Sequence, residues 1–199
     1  SRQVDLRDRD LPDAWKRGIY MREIPDKWHQ LSRQLRAKAV SYLEEISEVS
    51  PHNSNKKLLE SLQEINEGCR ALHQWVREES LKLLDSGKRI AVLGGDHSSP
   101  LGLIEALSQR YQDFGILQID AHCDLRDAYE GFQFSHASIM YNALSINNIS
   151  KLVQVGIRDY CDEEEQFIAN SNGRVMAFFD HDLARAQYEG KNWRDICHN

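Results

Sequence analysis

A three-layer α-β-α fold, an α/β architecture with a mainly parallel sheet, is what this sequence predicts, and three observations carry the prediction. From Arg89 onward, short apolar runs alternate with segments of helical character. Ahead of them lie two long amphipathic stripes. The residues able to do chemistry cluster just after two of the apolar runs, and in parallel sheets ligands collect at the carboxyl ends of the strands.

Trp28, Leu31, Leu35, Ala39, Leu43 and Ile46 recur at spacings of three and four, the apolar face of a first helix. Ser50-Pro-His-Asn-Ser-Asn55 then breaks the pattern. Leu58, Leu62, Ile65, Cys69, Leu72, Val76 and Leu83 define a second helix that ends near Ser86-Gly87. Beyond it the periodicity predicts strands over 89–93, 114–119, 151–156 and 174–179, with helices over about 100–111, 138–146 and 162–170. Strands separated by helices of this length imply crossover connections and parallel pairing. The run Asp162-Glu-Glu-Glu165 reads as an acidic first helical turn that complements the helix dipole. Phe179-Asp180-His181-Asp182 reads as a strand-to-helix turn, and Arg158 and Asp159 as braces of the turn after the third strand.

Composition bounds the function. A chain of 199 residues, 41% hydrophobic and 28% charged, is ordinary for a globular protein and long enough to bury a core. A net charge of −6, without a basic patch interleaved with aromatics, argues against nucleic acid as a partner. Cys69, Cys123, Cys161 and Cys197 form no C-x-x-C pair, so neither a zinc ribbon nor a disulfide framework is indicated, and free thiols suit a reducing compartment. No apolar run reaches membrane-spanning length and no signal-peptide pattern opens the chain, so the expectation is a cytoplasmic protein without a membrane partner.

Two motifs carry the chemistry. Asp120-Ala-His122-Cys-Asp124 follows the apolar run 114–119 and sets metal-capable side chains at every second position. In extended backbone these point the same way, so two carboxylates and an imidazole are expected to converge. Gly94-Gly-Asp-His97-Ser98 follows the run 89–93, and its glycines allow a sharp turn that brings His97 inward. Imidazole and carboxylate donors without a required thiolate suit manganese, magnesium or similar divalent ions. Asp120 is placed to bridge two of them. Cys123 alternates away from its neighbours and is expected to be a packed thiol. His29, His52, His73, His181 and His198 lack metal-spaced partners and are expected to be surface or helix residues.

These two motifs, with Asp124-Leu-Arg-Asp-Ala-Tyr-Glu-Gly-Phe-Gln-Phe-Ser-His136-Ala-Ser138 and Val155-Gly-Ile-Arg-Asp159, resemble the ureohydrolase family of arginases and agmatinases. The likeness covers residues from about 66 onward and is strongest to the agmatinase branch. It implies an arginase-like fold and a manganese-dependent amidinohydrolase that uses two Mn2+ ions to attack a guanidinium carbon and release urea. By that resemblance His97, Asp120 and Asp124 would hold one ion, Asp120 and His122 would contribute to the other, and His136 would carry a proton near the substrate. Arginases carry Asn where this chain has Arg126, which points away from an α-carboxylate substrate and toward agmatine, cleaved to putrescine and urea in polyamine biosynthesis. A homo-oligomer is implied by the same likeness.

One part of the family pattern is missing: no Ser-Phe-Asp-x-Asp-x-x-Asp-Pro motif, which brings two further carboxylates, occurs before Asn199. The stretch from Ser1 resembles the segment after the family's first strand and glycine-rich loop. The chain is therefore expected to be one partial ureohydrolase-like domain over 1–199, incomplete at both ends, with a helical part over about 26–86 and a metal-motif α/β part over about 87–199. The alternative is a non-catalytic or truncated homologue. Guanidinobutyrase, arginase and formiminoglutamase activities rank below agmatinase. A binuclear phosphoesterase ranks lower still, because those enzymes carry Asp-x-His ahead of the glycine motif and here Gly94 comes first.

Overall fold

In the computed structural model, residues 10, 18, 20–48 and 56–198 are described. The chain divides into two compact units, 1–34 and 35–199. The break expected over 50–55, with His52, lies outside the described residues.

The first helix, α1, spans Asp26–Glu48, and its start in the first unit holds Lys27 Nζ over the Trp28 ring at 4.9 Å. The second, α2, spans Lys56–Asp85, the 30 residues over which the apolar stripe persists. Both extend a little beyond the predicted stripes, because polar residues at helix ends satisfy the terminal amides and carbonyls without needing an apolar face. Within the larger unit, Tyr42 of α1 donates to the Glu130 carbonyl at 3.0 Å, and Asn66 of α2 donates to the Gly131 carbonyl and accepts from the Gln133 amide. These bonds tie both helices to the loop that carries His136.

The helix α3 (Leu101–Ser108) packs on α2 so closely that only glycine serves at 102. A Cβ added there would meet the His73 carbonyl at 2.4 Å. The sheet has three parallel strands in the order β1 (Phe114–Ile119), β2 (Ile149–Ile157) and β3 (Val175–Phe179). The helix α4 (Ile139–Leu144) links β1 to β2, and α5 (Asp162–Ala169) links β2 to β3. Then α6 (Asp180–Tyr188) follows β3 directly and α7 spans Trp193–Cys197. The expected strand-to-helix turn at 180–182 is thus the first turn of α6.

The predicted strand over 89–93 is not formed. The apolar run is there, but it has no ladder partner among the described residues, and Leu93 stands 85% exposed. Hydrophobicity alone does not make a strand: without a neighbour its amides and carbonyls gain nothing from the extended form.

One face of the sheet is packed. Leu101 and Ile104 from α3, Ile139, Met140 and Leu144 from α4, and Leu152 and Ile157 from β2 form a single buried cluster around Cys123 and Leu125. The outward residues of β1 are open, with Leu117 at 66% and Ile119 at 79% exposure. Here the described residues build part of a layered α/β fold. None of their helices is long and apolar enough to cross a membrane.

Candidate metal centre and cleft

The backbone of β1 delivers Asp120 to the sheet's carboxyl edge, where its amide still donates to the Val155 carbonyl at 3.1 Å. The chain then bends. Ala121 accepts from both Arg158 and Asp159 amides, His122 forms an isolated parallel bridge with Asp159, and Asp124 sits at φ 55°. Left-handed backbone costs a non-glycine residue about 1–2 kcal/mol, though Asp tolerates it better than most. Bonds on both sides over-determine it here: the Asp124 carbonyl accepts from the Met140 and Tyr141 amides, and the next amide, Leu125, is bound by the Glu164 carboxylate at 3.0 Å.

This bend alters what alternation alone predicts. The two carboxylates do converge, and His97 joins them: one ligand atom each from His97, Asp120 and Asp124 lie within 4.8 Å of one another. His122 stands on the other side of Asp120. His97 Nδ1 is 3.0 Å from Asp120 Oδ2, whereas His122 Nδ1 is 3.6 Å from Asp120 Oδ1. The regular pleat ends at Ile119, so the period of two no longer governs where the 122 side chain goes. Its Nε2 lies 3.4 Å from Asp159, a carboxylate read from sequence only as a turn brace.

His97 reaches the cluster from a tight turn. Asp96 accepts from the Ser98 amide at 2.8 Å and from its hydroxyl at 2.5 Å, which spends this carboxylate on the turn. A Cβ on Gly94 would fall 1.9 Å from Ser99 Oγ, so the turn needs a glycine there. His97 Nδ1 meets Asp124 Oδ2 at 2.5 Å. That bond raises the His97 pKa above its usual value; burial opposes the rise, and the charges of Asp124, Asp120 and Asp96 add to it. Burial pulls the Asp120 carboxyl upward, but bonds from the His122 amide and Gln118 and the nearby His97 outweigh it, leaving Asp120 below the usual carboxylate range. Cys123, fully buried, has its thiol pushed up to about 12 by burial and the surrounding carboxylates, so it is a packed thiol and no nucleophile.

One imidazole nitrogen and two carboxylate oxygens face one another across the place a divalent cation would take. Two anionic oxygens and one imidazole nitrogen match the hard-to-borderline donor set of Mn or Mg ions. These residues fit such an ion.

His136 comes to the same place. It opens a short 3-10 turn capped by Ser135, and the Ala137 carbonyl accepts from the Arg126 amide at 3.0 Å, folding the 124–137 loop back on itself. His136 thereby lines a cleft of about 150 Å³ together with His122, Asp124 and Asp159. Arg126, Tyr129 and Glu164 form the rest of its charged and aromatic wall. The Arg126 guanidinium lies 4.7 Å over the Tyr129 ring and its Nε is 3.6 Å from Glu164.

Glu164 is the residue sequence reading undervalued. The acidic turn it belongs to is real, yet Glu164 itself is only 3% exposed and accepts from the Leu125 and Cys161 amides. Position 164 differs from 163 and 165 in facing inward, which helical phase alone shows only once the packed face is known. Asp180 and Asp182 lie apart, on α6, where Asp182 pairs with His181 and Arg185.

The chain is similar in sequence and fold to known proteins. The family model described as the Arginase family matches residues 21–192. N(1)-aminopropylagmatine ureohydrolase of Thermus thermophilus is 40% identical over 113 residues, covering 57% of this chain and 37% of that protein. Agmatinase of Halalkalibacterium halodurans is 37% identical over 99 residues, 50% of this chain and 34% of its own length. Among solved structures, arginase from Medicago truncatula superposes with a TM-score of 0.51 at 28% identity, over 63% of this chain and 41% of that one. The chain thus spans about a third of the length of the curated relatives it matches.

Proposed function

The chain belongs to the arginase family, and from that premise we propose that it serves a metal-dependent hydrolase of linear guanidino compounds, cleaving a C–N bond to release urea, with agmatine going to putrescine and urea. The observation that carries this reading is the meeting of His97, Asp120 and Asp124 beside a cleft that His136 also lines. Relatives named agmatinase and aminopropylagmatine ureohydrolase support the guanidino class.

One ion would be held by His97, Asp120 and Asp124, and a second would draw on Asp120 and His122, whose Nδ1 lies 3.6 Å from Asp120 Oδ1. Manganese suits these donors. Bound there, such ions would supply Lewis-acid charge and lower the pKa of water enough to provide a hydroxide nucleophile at neutral pH. The chain's own residues supply the rest. Asp159 and the site carboxylates attract a cationic guanidinium and its amine tail into the cleft. His136, the imidazole of the cleft wall outside the ligand set, hands a proton to the departing amine. Arg126 is occupied by Tyr129 and Glu164, so it is poorly free to receive a substrate carboxylate. That favours agmatine-like substrates over amino acids. We place the protein in the cytoplasm, as a homo-oligomer by its family likeness.

A second reading, a homologue that keeps the fold without turnover, is favoured by one observation: His97, Asp120 and Asp124 are the one three-ligand group among the described residues, and neither Asp180 nor Asp182 joins them. Metal analysis with a urea assay on agmatine, N(1)-aminopropylagmatine and guanidinobutyrate separates the two. Bound manganese and urea from an amine-tailed substrate are expected. No urea from any guanidino compound selects the second reading, and the absence of bound metal as well removes the metal centre from it.

A further inference from the structure

Gln118 of β1 and Gln154 of β2 face each other in register, and both are buried, at 3% and 0% exposure. Buried amides cost free energy unless their polar atoms are bonded, so the partners of these atoms show what the pair does. Gln154 Nε2 donates to Gln118 Oε1 at 2.6 Å and to the Cys123 carbonyl at 2.7 Å, which uses both of its protons. Turning that amide over would set its oxygen against two acceptors, so the neighbours fix its orientation. Gln118 Nε2 in turn donates to the His122 carbonyl at 3.1 Å and stands 3.4 Å from Asp120 Oδ2 and 3.5 Å from Asp124 Oδ2. Those are the two oxygens that His97 Nδ1 approaches. Gln154 Oε1 is left buried without a partner. An apolar pair would avoid that cost; the amides instead supply contacts to three of the five residues from 120 to 124 through Asp120, His122 and Asp124, and to Cys123 as a fourth.

We propose that Gln118 and Gln154 are positioning residues for the candidate metal centre: a cross-strand amide relay that grips the 120–124 loop by two backbone carbonyls and aims the Asp120 and Asp124 carboxylates at one point. The relay links the hydrogen-bonded pair β1 and β2 to ligands that lie beyond the end of β1. Residues behind first-layer ligands commonly orient them in this way. The assignment rests on the metal-site reading given above, and the test keeps the two apart.

The test compares the unaltered protein with Gln118→Met and Gln154→Met, which keep side-chain volume and remove the hydrogen bonds. Hydrogen exchange of backbone amides 120–125 is followed by NMR in metal-free protein, and Mn2+ affinity by calorimetric titration. Both variants are expected to exchange faster across 120–125 while Leu152 and Val153 stay protected, and to bind Mn2+ about 10–100-fold more weakly. Unchanged exchange in the loop overturns the proposal, as does faster exchange with Mn2+ affinity unaltered. If the unaltered protein takes up no Mn2+, the metal reading fails while the exchange data still decide whether the relay braces the loop. Should neither variant fold, the unaltered protein decides: the side-chain amide protons of Gln118 and Gln154 should exchange at least about tenfold more slowly than those of exposed Gln166, and equal rates overturn the relay.

Discussion

The two segments that bring donor atoms to the centre are built on opposite principles. The 120–124 loop leaves β1, which is paired with β2 along its length, and is then gripped by Gln118, Gln154, Glu164 and the amides of α4. The His97 segment leaves an apolar run with no ladder among the described residues and depends on a turn held by Asp96 and Ser99. The difference separates two ways of placing a ligand. The carboxylates are set from paired sheet and a loop bonded on several sides, while the histidine is tethered by a turn on a run without a ladder among the described residues. Changes on the carboxylate side should therefore disturb more of the centre than changes on the histidine side.

The largest effect is expected at His136, which the folded-back loop brings to the cleft without placing it in the ligand group. In active protein, His136→Ala should lower turnover by about 100- to 10,000-fold, the range lost with a general acid–base group. Metal content, measured by elemental analysis, should not change. A variant that loses its metal would move His136 from proton carrier to ligand and place part of the donor set on a third segment.

The next test sets the two segments against each other. Asp124→Ala removes the carboxylate that binds His97 at 2.5 Å and belongs to the braced loop, whereas His97→Ala removes the tethered donor. Calorimetric titration with Mn2+ should show the greater loss for Asp124→Ala, beyond the roughly 10–100-fold typical of residues that only orient ligands. Asp182→Ala should leave binding as it was. A larger loss for His97→Ala would invert the comparison, and a loss for Asp182→Ala would bring α6 into the centre.

Glu164 tests the bracing through stability. With Glu164→Ala, the buried Leu125 amide and the Cys161 amide lose their acceptor. An unsatisfied buried donor costs about 1–3 kcal/mol, so urea denaturation should show a loss of that order. A change below about 0.5 kcal/mol would mean that the loop holds itself.

Much of this arrangement was legible in the sequence, and the illegible parts share a cause. The strand expected over 114–119 forms as Phe114–Ile119, and the helix expected over 162–170 forms as Asp162–Ala169, because period and flanking residues are local signals. Local signals also marked both ligand motifs. What the sequence could not show depends on neighbours. The run 89–93 has strand composition without a partner. The regular pleat ends at Ile119, so His122 is not sent to the same point as the carboxylates, and the left-handed backbone of Asp124 is held by bonds from α4 and Glu164 that only the fold supplies. Gln118 and Gln154 sit in apolar runs at positions where alternation expects core residues, and a polar side chain in an inward phase was the one hint of a relay.

Acid titration of metal-free protein sharpens the contrast with a smaller effect, because two histidines pull in opposite directions. His97 has its pKa raised, first by the Asp124 bond, so its contribution is complete below the unfolded value near 6.5 and is lost as pH rises through the folded value. His73 has its pKa lowered by burial, which the charge of Asp96 only partly offsets; its neutral ring packs edge-on to Phe134, with Nδ1 unbonded. That burial weakens the fold as pH falls below about 6.5, where the unfolded chain takes the proton first. Removing His97 as His97→Asn should make stability fall more steeply as pH drops through about 6.5, and His73→Leu should make it fall less, both read from denaturation midpoints. Identical slopes in both variants would show that neither histidine is coupled to folding.

The smallest effect is expected at the apolar run ahead of His97. Leu93 is 85% exposed, so replacing it removes almost no buried area, and Leu93→Ser should alter stability by less than about 0.5 kcal/mol. Leu152 offers the reference: it is of the same residue type, in the paired strand β2 and fully buried, and Leu152→Ala should cost about 2–5 kcal/mol. Paired denaturation curves of the two variants measure the contrast directly. If Leu93→Ser destabilises the protein by more than about 1 kcal/mol, the 89–93 run must be buried against something in solution. The His97 segment would then be braced like its counterpart, and the division between a preset carboxylate side and a tethered histidine would fail.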